Sequence, residues 1–372
     1  MTKTITIILI CLMVCEQPAW GVVEGEWEIT PESEKAVERG LQWLAHNQGP
    51  VGNWGSQDLG LVALGAMAFL SAGHAPGRSP YGNNVKKALD YIIVNAKPSG
   101  LLNISGERRD MYNHGLATFC LTQAYGAVPD RRLGPVLDRG IKLICDVQCD
   151  DGGWDYIARR QARGHDLSLV VMQAKALRGA MDIGLDIPPA VIDKAIESVR
   201  GYYRPMGDAD GKQYGTDPLG LRPGAFTYNG GKVTTAMAAA GAVCLQEFGL
   251  YKDFRIPRSL DHIAKDISSL KTRNGHMPFD AYAMYYVAQG LYQVGGTRWR
   301  ENYPVIRDAI VETQWKSTSP TVDGSWDGGR VSGVPGKLFG TSVGVFVLSI
   351  PNRYLPILQE GEFTSENEAS DK

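Results

Sequence analysis

The sequence predicts an all-α protein, a closed α/α barrel of six helical hairpins. Three observations carry that expectation. A sixteen-residue pattern recurs along the chain, each copy is followed by a helical segment that is apolar on nearly all sides, and no alternating strand pattern competes with either.

The repeat is clearest in two copies. Residues 39–54 read RGLQWLAHNQGPVGNW and residues 139–154 read RGIKLICDVQCDDGGW. Arg-Gly opens both, and Gln, Gly and Trp fall in the same register. Looser copies follow. Residues 87–102 keep the basic start and Gly100, with Ala96 and Leu102 in place of Gln and Trp. Residues 194–214 keep only the helical start, residues 262–277 keep Gly275, and residues 307–326 keep Gln314, Gly324 and Trp326 around an inserted loop. The helices of these copies carry charge on one side, as in Glu32–Ala45 and Leu260–Leu270.

The second helix of each unit is expected at Asp58–Ala72, Asp110–Tyr125, Asp166–Met181, Lys232–Phe248, Asp280–Val294 and Leu338–Ile350. These runs are rich in Ala, Gly, Leu and Val, and a helix that is apolar all round is a buried one. Six outer amphipathic helices and six inner buried ones close into a ring. The Gly- and Pro-rich stretch Gly207–Gly231 reads as a long loop inside the fourth unit. No linker divides the chain, so residues 22–359 form one domain, and the polar, acidic residues 360–372 form a disordered tail.

The recurring residues have a structural purpose. Gly52 and Gly153 permit a tight turn out of the first helix. A Trp just beyond can cover the helix end, and a Gln amide can bond the backbone groups left open there. Gln48, Trp54, Gln148, Trp154, Gln314 and Trp326 therefore read as clasps between neighbouring hairpins, and the alternative is a set of aromatic platforms for sugars.

The 372 residues carry 38 basic and 40 acidic groups, a net charge of −2, so the charge gives no basis for nucleic-acid binding. Lys3, the apolar run Ile5–Val14 and the small residues Ala19 and Gly21 form a secretory signal over residues 1–21. The expected location is secreted or periplasmic. No later segment is long and apolar enough to span a bilayer. Cys120, Cys145, Cys149 and Cys244 remain after the signal, too few for a disulfide scaffold. Cys145 and Cys149 share a face if their segment is helical, and read as two small semi-buried thiols.

The Gln-x-x-x-Gly-x-Trp spacing after a basic-Gly helix resembles the QW repeat of the squalene cyclases and the protein prenyltransferase β subunits. That resemblance covers nearly all of the mature chain and implies an (α/α)6 toroid with a central apolar cavity. It also implies an isoprenoid or other lipid as ligand. The cyclases start their reaction from an Asp-x-Asp-Asp motif at an inner-helix start, and this chain has none. The prenyltransferases bind zinc through Asp, Cys and His, and no Asp-x-Cys stands at an inner-helix start here. Cys149-Asp150-Asp151-Gly152 lies in a repeat turn.

In a toroid with parallel inner helices, the residues at their starts face one mouth. Asp58, Asp110, Tyr112, His114, His165, Asp166, Tyr228, Asp280 and Tyr282 are in that position. Asp110 and His114 are four apart on one helix, and His165 with Asp166 opens the next. Asp110, His114, His165 and Asp166 are thus the candidate catalytic set, able in type to hold zinc or to move protons. Asp58, Tyr112, Tyr228, Asp280, Tyr282 and Tyr286 are the candidate cavity residues, and tyrosine faces suit cationic intermediates. The competing expectation for each Asp is a helix N-cap, and for the tyrosines and His114 core packing. Three functions remain open: an enzyme on isoprenoids, a scaffold that binds a lipid or an exported protein, and a glycan hydrolase or lyase working through Asp110 and Asp166.

Overall fold

The computed structural model describes residues 27–206, 223–329 and 336–359. The signal at residues 1–21, the tail at 360–372 and residues 207–222 of the long loop lie outside the described residues.

Six helical hairpins follow one another. They are α1 (Pro31–Asn47) with α2 (Leu59–Ser71), α3 (Gly82–Val94) with α4 (Asp110–Tyr125), and α5 (Leu133–Asp146) with α6 (Leu167–Asp182). Then come α7 (Pro189–Gly201) with α8 (Thr235–Glu247), α9 (Arg255–Ser268) with α10 (Ala281–Val294), and α11 (Gly296–Thr313) with α12 (Gly336–Ser349). The even-numbered helices pack each on the next, and α12 packs back on α2, so they form a closed inner ring. The odd-numbered helices lie outside it. This is the expected (α/α)6 toroid.

Composition decides which helix goes where. Every residue of α2 is buried. Outer α9 buries only a stripe, Ile256, Ser259, Leu260, Ile263 and Ile267, at helical spacing. Four of the inner helices start on side-chain caps: Asp58, Asp166, Thr234 and Asp280 each accept a backbone N–H from the first turn. The fourth inner helix begins at Thr235, three residues later than expected, because a short antiparallel ribbon precedes it. There β1 (Tyr203–Pro205) pairs with β2 (Gly224–Phe226), with Tyr203 opposite Phe226.

The repeated residues make the same bonds in each strong copy. The Gln48 amide donates to Gly52 O and Asn84 O, that of Gln148 to Gly152 O and Val191 O, and that of Gln314 to Gly324 O and Ala36 O. One acceptor lies in the Gln's own turn and the other in the next outer helix. The last pair ties the sixth hairpin to the first. Each Trp indole donates to a carbonyl in the last turn of the preceding outer helix: Trp54 to Leu44, Trp154 to Ile144 and Trp326 to Ile310, at 2.8–2.9 Å. The left-handed residue in the third turn is Gly152, with φ +83°, rather than Gly153. A Cβ at Gly152 would lie 2.0 Å from Lys194 O, so the turn can be this close only without one.

Weak copies use substitutes. In the second unit Leu102 replaces the Trp, and His114 holds the joint: Leu102 N donates to Nδ1 at 3.1 Å, and Nε2 bonds Gly140 O at 2.9 Å. In the fourth unit the buried Phe226 lies against Gly241 of α8, where an added Cβ would meet the ring at 2.1 Å. Cys149 lies past the end of α5, so Cys145 and Cys149 do not share a helix face; the four described cysteines are free thiols.

The lower half of the bore is filled. Lys175 of α6 is buried and donates to Glu247 Oε1 at 2.7 Å and Gln289 Oε1 at 2.5 Å, with its ammonium 4.5 Å from the centre of the Phe119 ring. Below it the chain crosses from one wall to the other. Ile357 N donates to Gln123 of α4, and Tyr292 of α10, on the opposite side of the ring, donates to Leu358 O.

Candidate functional site

The upper half of the bore stays open. One cavity of about 290 Å³ takes a residue from the first turn of every inner helix: Leu61, Tyr112, Ser168, Met237, Tyr282 and Phe339. The inner helices therefore run parallel, with their N-termini at one mouth. Leu64, Leu116 and Met172 extend the walls downward, and Asp58, Arg109, Tyr156 and Tyr228 stand at the rim. The volume lies near the lower end of ordinary small-ligand pockets, about 300–1,000 Å³.

The polar groups on one side converge on Asp166. Its carboxylate is fully buried at the start of α6. Oδ1 accepts from Ser168 N at 2.9 Å and from the Ser168 hydroxyl. Oδ2 accepts from the Tyr156 hydroxyl at 2.8 Å and faces His165 Nδ1 at 2.9 Å. Two chains of hydroxyls lead from this carboxylate to the cavity wall, one through Ser168 to Tyr112 and one through Tyr156 to Tyr228 at 2.5 Å. Burial, reinforced by the Asp166 charge, pushes the Tyr112 phenol well above its usual range. Burial and the bond to Tyr228 do the same for Tyr156, and burial raises the pKa of Tyr228. All three stay protonated. Asp166 is arranged as an acceptor, and what reaches the cavity is neutral phenol.

At the other side of the rim, Arg109 holds Asp58 through Nη2 at 2.8 Å and Nε at 3.1 Å. The same guanidinium lies 5.4 Å from the centre of the Tyr112 ring. Asp58 thus caps α2 and anchors Arg109 at once.

The structure divides the sequence candidates. Asp166, Tyr112, Tyr228 and His165 come together, with the His165 side chain half exposed beside the hub. Asp58 and Tyr282 line the same cavity. Tyr286 lies one turn below Tyr282, fully buried in the wall, with the rings edge to face at 5.0 Å. Asp280 is exposed and caps α10 through Ala283 N at 2.9 Å. Asp110 is turned away: it accepts from Asn103 Nδ2 at 2.7 Å and from Ala158 N at 3.2 Å, under the loop that carries Tyr156. His114 is enclosed, with both ring nitrogens on backbone groups, and burial lowers its pKa to about 4. The expected convergence of Asp110, His114, His165 and Asp166 into one set is therefore corrected. His114 belongs to the second joint, Asp110 is bonded to Asn103 and Ala158, and only His165 and Asp166 stand together, behind the hydroxyls that line the cavity. Among the described residues no group of three or more His, Cys, Asp or Glu is placed to hold a metal ion.

Sequence reasoning missed Tyr156, Ser168 and Arg109. Each has a faint signal. Ser168 lies two residues beyond an N-cap Asp, Arg109 precedes an inner helix, and Tyr156 follows the third clasp by two residues. None is marked by a motif.

No protein-family model and no curated protein matches this sequence. Solved structures do match in fold. A type II terpene cyclase from Scytonema, in complex with geranylgeranyl dihydroxybenzoate, is 13% identical with a TM-score of 0.54; the match covers 87% of this chain and 98% of that one. An inactive variant of an α-1,6-mannanase from Salegentibacter, in complex with α-1,6-mannotriose, is 15% identical with a TM-score of 0.53 over 87% and 98% of the two chains. A GH76 α-mannanase from Bacteroides thetaiotaomicron is 12% identical with a TM-score of 0.54 over 85% and 94%. These likenesses establish the toroid and leave the function to the site. Among the described residues no helix is long and apolar enough to cross a membrane.

Proposed function

We propose that this toroid binds a small isoprenoid-class lipid in the upper bore. The observation that carries the reading is the cavity itself: about 290 Å³, walled by Leu61, Leu64, Leu116, Met172, Met237 and Phe339, with phenols as its main polar groups. Burying an apolar chain against such walls is favourable by roughly 25 cal/mol per Å² removed from water. The fold likeness to a terpene cyclase solved with a prenylated substrate supports the same class of ligand. The hub supports binding and orientation rather than a cyclase-type start, since Asp166 spends its oxygens as acceptors. The glycan alternative needs two carboxylates facing one bond. Of the pair first considered for it, Asp110 is held beneath the Tyr156 loop.

The test is mass spectrometry of an organic extract of the protein purified from its natural host, paired with thermal shifts in C10 and C15 isoprenoids. A stoichiometric lipid, or a shift that Leu116→Trp abolishes by filling the cavity, is the expected result. A clean extract together with no shift from any isoprenoid would sink the reading.

A further inference from the structure

The hydrogen bonds of the hub have a direction. Asp166 accepts at both oxygens, from Ser168 N and the Ser168 hydroxyl at Oδ1 and from the Tyr156 hydroxyl at Oδ2. A hydroxyl has one hydrogen to give. That of Ser168 goes to Oδ1, so in the bond between Ser168 and Tyr112 the phenol is the donor. That of Tyr156 goes to Oδ2, so in the bond between Tyr156 and Tyr228 the donor is Tyr228. All four hydroxyl hydrogens thus point inward, toward the carboxylate. Tyr112, Tyr156, Ser168 and Tyr228 all line the cavity, and their oxygens meet in two bonded pairs. This wall turns oxygen lone pairs to a ligand and keeps its hydroxyl hydrogens behind it.

The cavity is deepest beneath the same wall. The first turn of every inner helix contributes a lining residue, but the second turn does so only from α2, α4 and α6, through Leu64, Leu116 and Met172. Leu116 and Met172 lie one turn below Tyr112 and Ser168 on their helices. An apolar chain in the deep part therefore has its upper end at the hub. Charge narrows what that end can be. A cation there would meet the Arg109 guanidinium, 5.4 Å from the centre of the Tyr112 ring. An anion would meet only lone pairs on the phenols. A neutral hydroxyl meets neither objection, since it can donate. Resting on the proposed lipid site, we propose that its ligand is an isoprenoid alcohol, whose O–H donates to the phenol oxygens of the hub while its chain runs down between α4 and α6. An ether or a hydrocarbon of the same skeleton has no hydrogen to offer them.

The experiment compares geraniol, geranyl methyl ether and 2,6-dimethyl-2,6-octadiene by displacement of a bound apolar fluorophore from the full-length protein. The alcohol donates and accepts, the ether only accepts, and the hydrocarbon does neither. The wild type should favour the alcohol over both others by about tenfold, as one hydrogen bond away from water implies. Asp166→Asn keeps a residue that caps a helix equally well and turns the network around. With its Oδ1 held by Ser168 N, the amide Nδ2 donates to Tyr156, Tyr156 donates to Tyr228, and the Tyr228 hydrogen is released to the cavity. The ether should then gain on the alcohol, and the ratio between them should fall toward one. An ether that binds the wild type as well as the alcohol, and better than the hydrocarbon, places the oxygen at a donor such as Arg109 and overturns the inference. Equal affinities of all three overturn it and leave the lipid site standing, and binding of none overturns both. A ratio unchanged in folded Asp166→Asn overturns the inward-pointing network as its cause. The wild-type series decides the ligand class even if the variant folds poorly.

Discussion

Trp154→Ala isolates the clasp that builds the ring. The indole is fully buried and its Nε1 donates to Ile144 O at 2.9 Å. That carbonyl is one of the open acceptors at the end of α5: the amide four residues on, Gln148 N, bonds Cys145 O instead. A Trp side chain buries roughly 200 Å², which at about 25 cal/mol per Å² gives an upper value near 5 kcal/mol. Large-to-small core substitutions of this kind lose about 3–5 kcal/mol. Urea unfolding followed by far-UV circular dichroism should show that loss as a lower midpoint with little change of slope. Trp54 makes the matching bond to Leu44 O, at 2.8 Å, from a half-buried ring. Trp54→Ala should therefore lose visibly less. Trp154→Phe keeps most of the ring and removes the donor, which is worth about 1 kcal/mol. A Trp154→Ala protein within about 1 kcal/mol of wild type would refute the burial argument. Equal losses at Trp54 and Trp154 would show that the helix-end bond, not the buried ring, carries the clasp.

Other consequences are equally direct. Burial lowers the folded pKa of His114 from 6.5 to about 4, so between those values the unfolded chain binds a proton that the folded one does not. Stability should fall as pH drops through that window, by on the order of 3 kcal/mol in all, and His114→Gln should flatten that part of a Tm-against-pH curve. Lys175→Met strands Glu247 in the bore and should destabilise by about 3–5 kcal/mol, while the double variant Lys175→Met/Glu247→Met should recover most of the loss; a double variant as unstable as the single one would contradict the charge argument. Gly152→Ala forces a Cβ onto Lys194 O at a left-handed φ and should lose more than about 1 kcal/mol in the same unfolding assay, whereas Gly55→Ala, also left-handed but with open space around it, should lose less.

The ring was legible in the sequence because its joints are repeated. Gln, Gly and Trp recur since the same turn, carbonyl and helix end recur, and each inner helix is apolar all round since each faces core on both sides. Where a joint is improvised the pattern fades. His114 looked like a catalytic residue because a histidine near an inner-helix start can face the mouth; its actual neighbours, Leu102 and Gly140, are a vacant clasp position and the next repeat's glycine. Phe226 was invisible because it reaches Gly241 from a ribbon that follows no repeat. The cavity was half legible. Positions at inner-helix starts, such as Tyr112, Asp166 and Tyr282, follow from the parallel ring, but Tyr156 comes from a loop whose path no periodicity encodes.

The two halves of the bore explain why the ring encloses a chamber closed at one end rather than a channel. Six parallel inner helices leave an axial space that must be filled or lined. Below, Lys175 with Glu247 and Gln289 ties α6, α8 and α10 together, and the crossing between Gln123 and Tyr292 covers their lower ends. Neither charge is left unpaired there. Above, the hub satisfies its own members on the α4–α6 side, and Leu61, Leu64, Leu116, Met172, Met237 and Phe339 leave the remaining walls apolar. A molecule that enters from the mouth therefore meets apolar walls and a closed floor, so the bore is open at one end only.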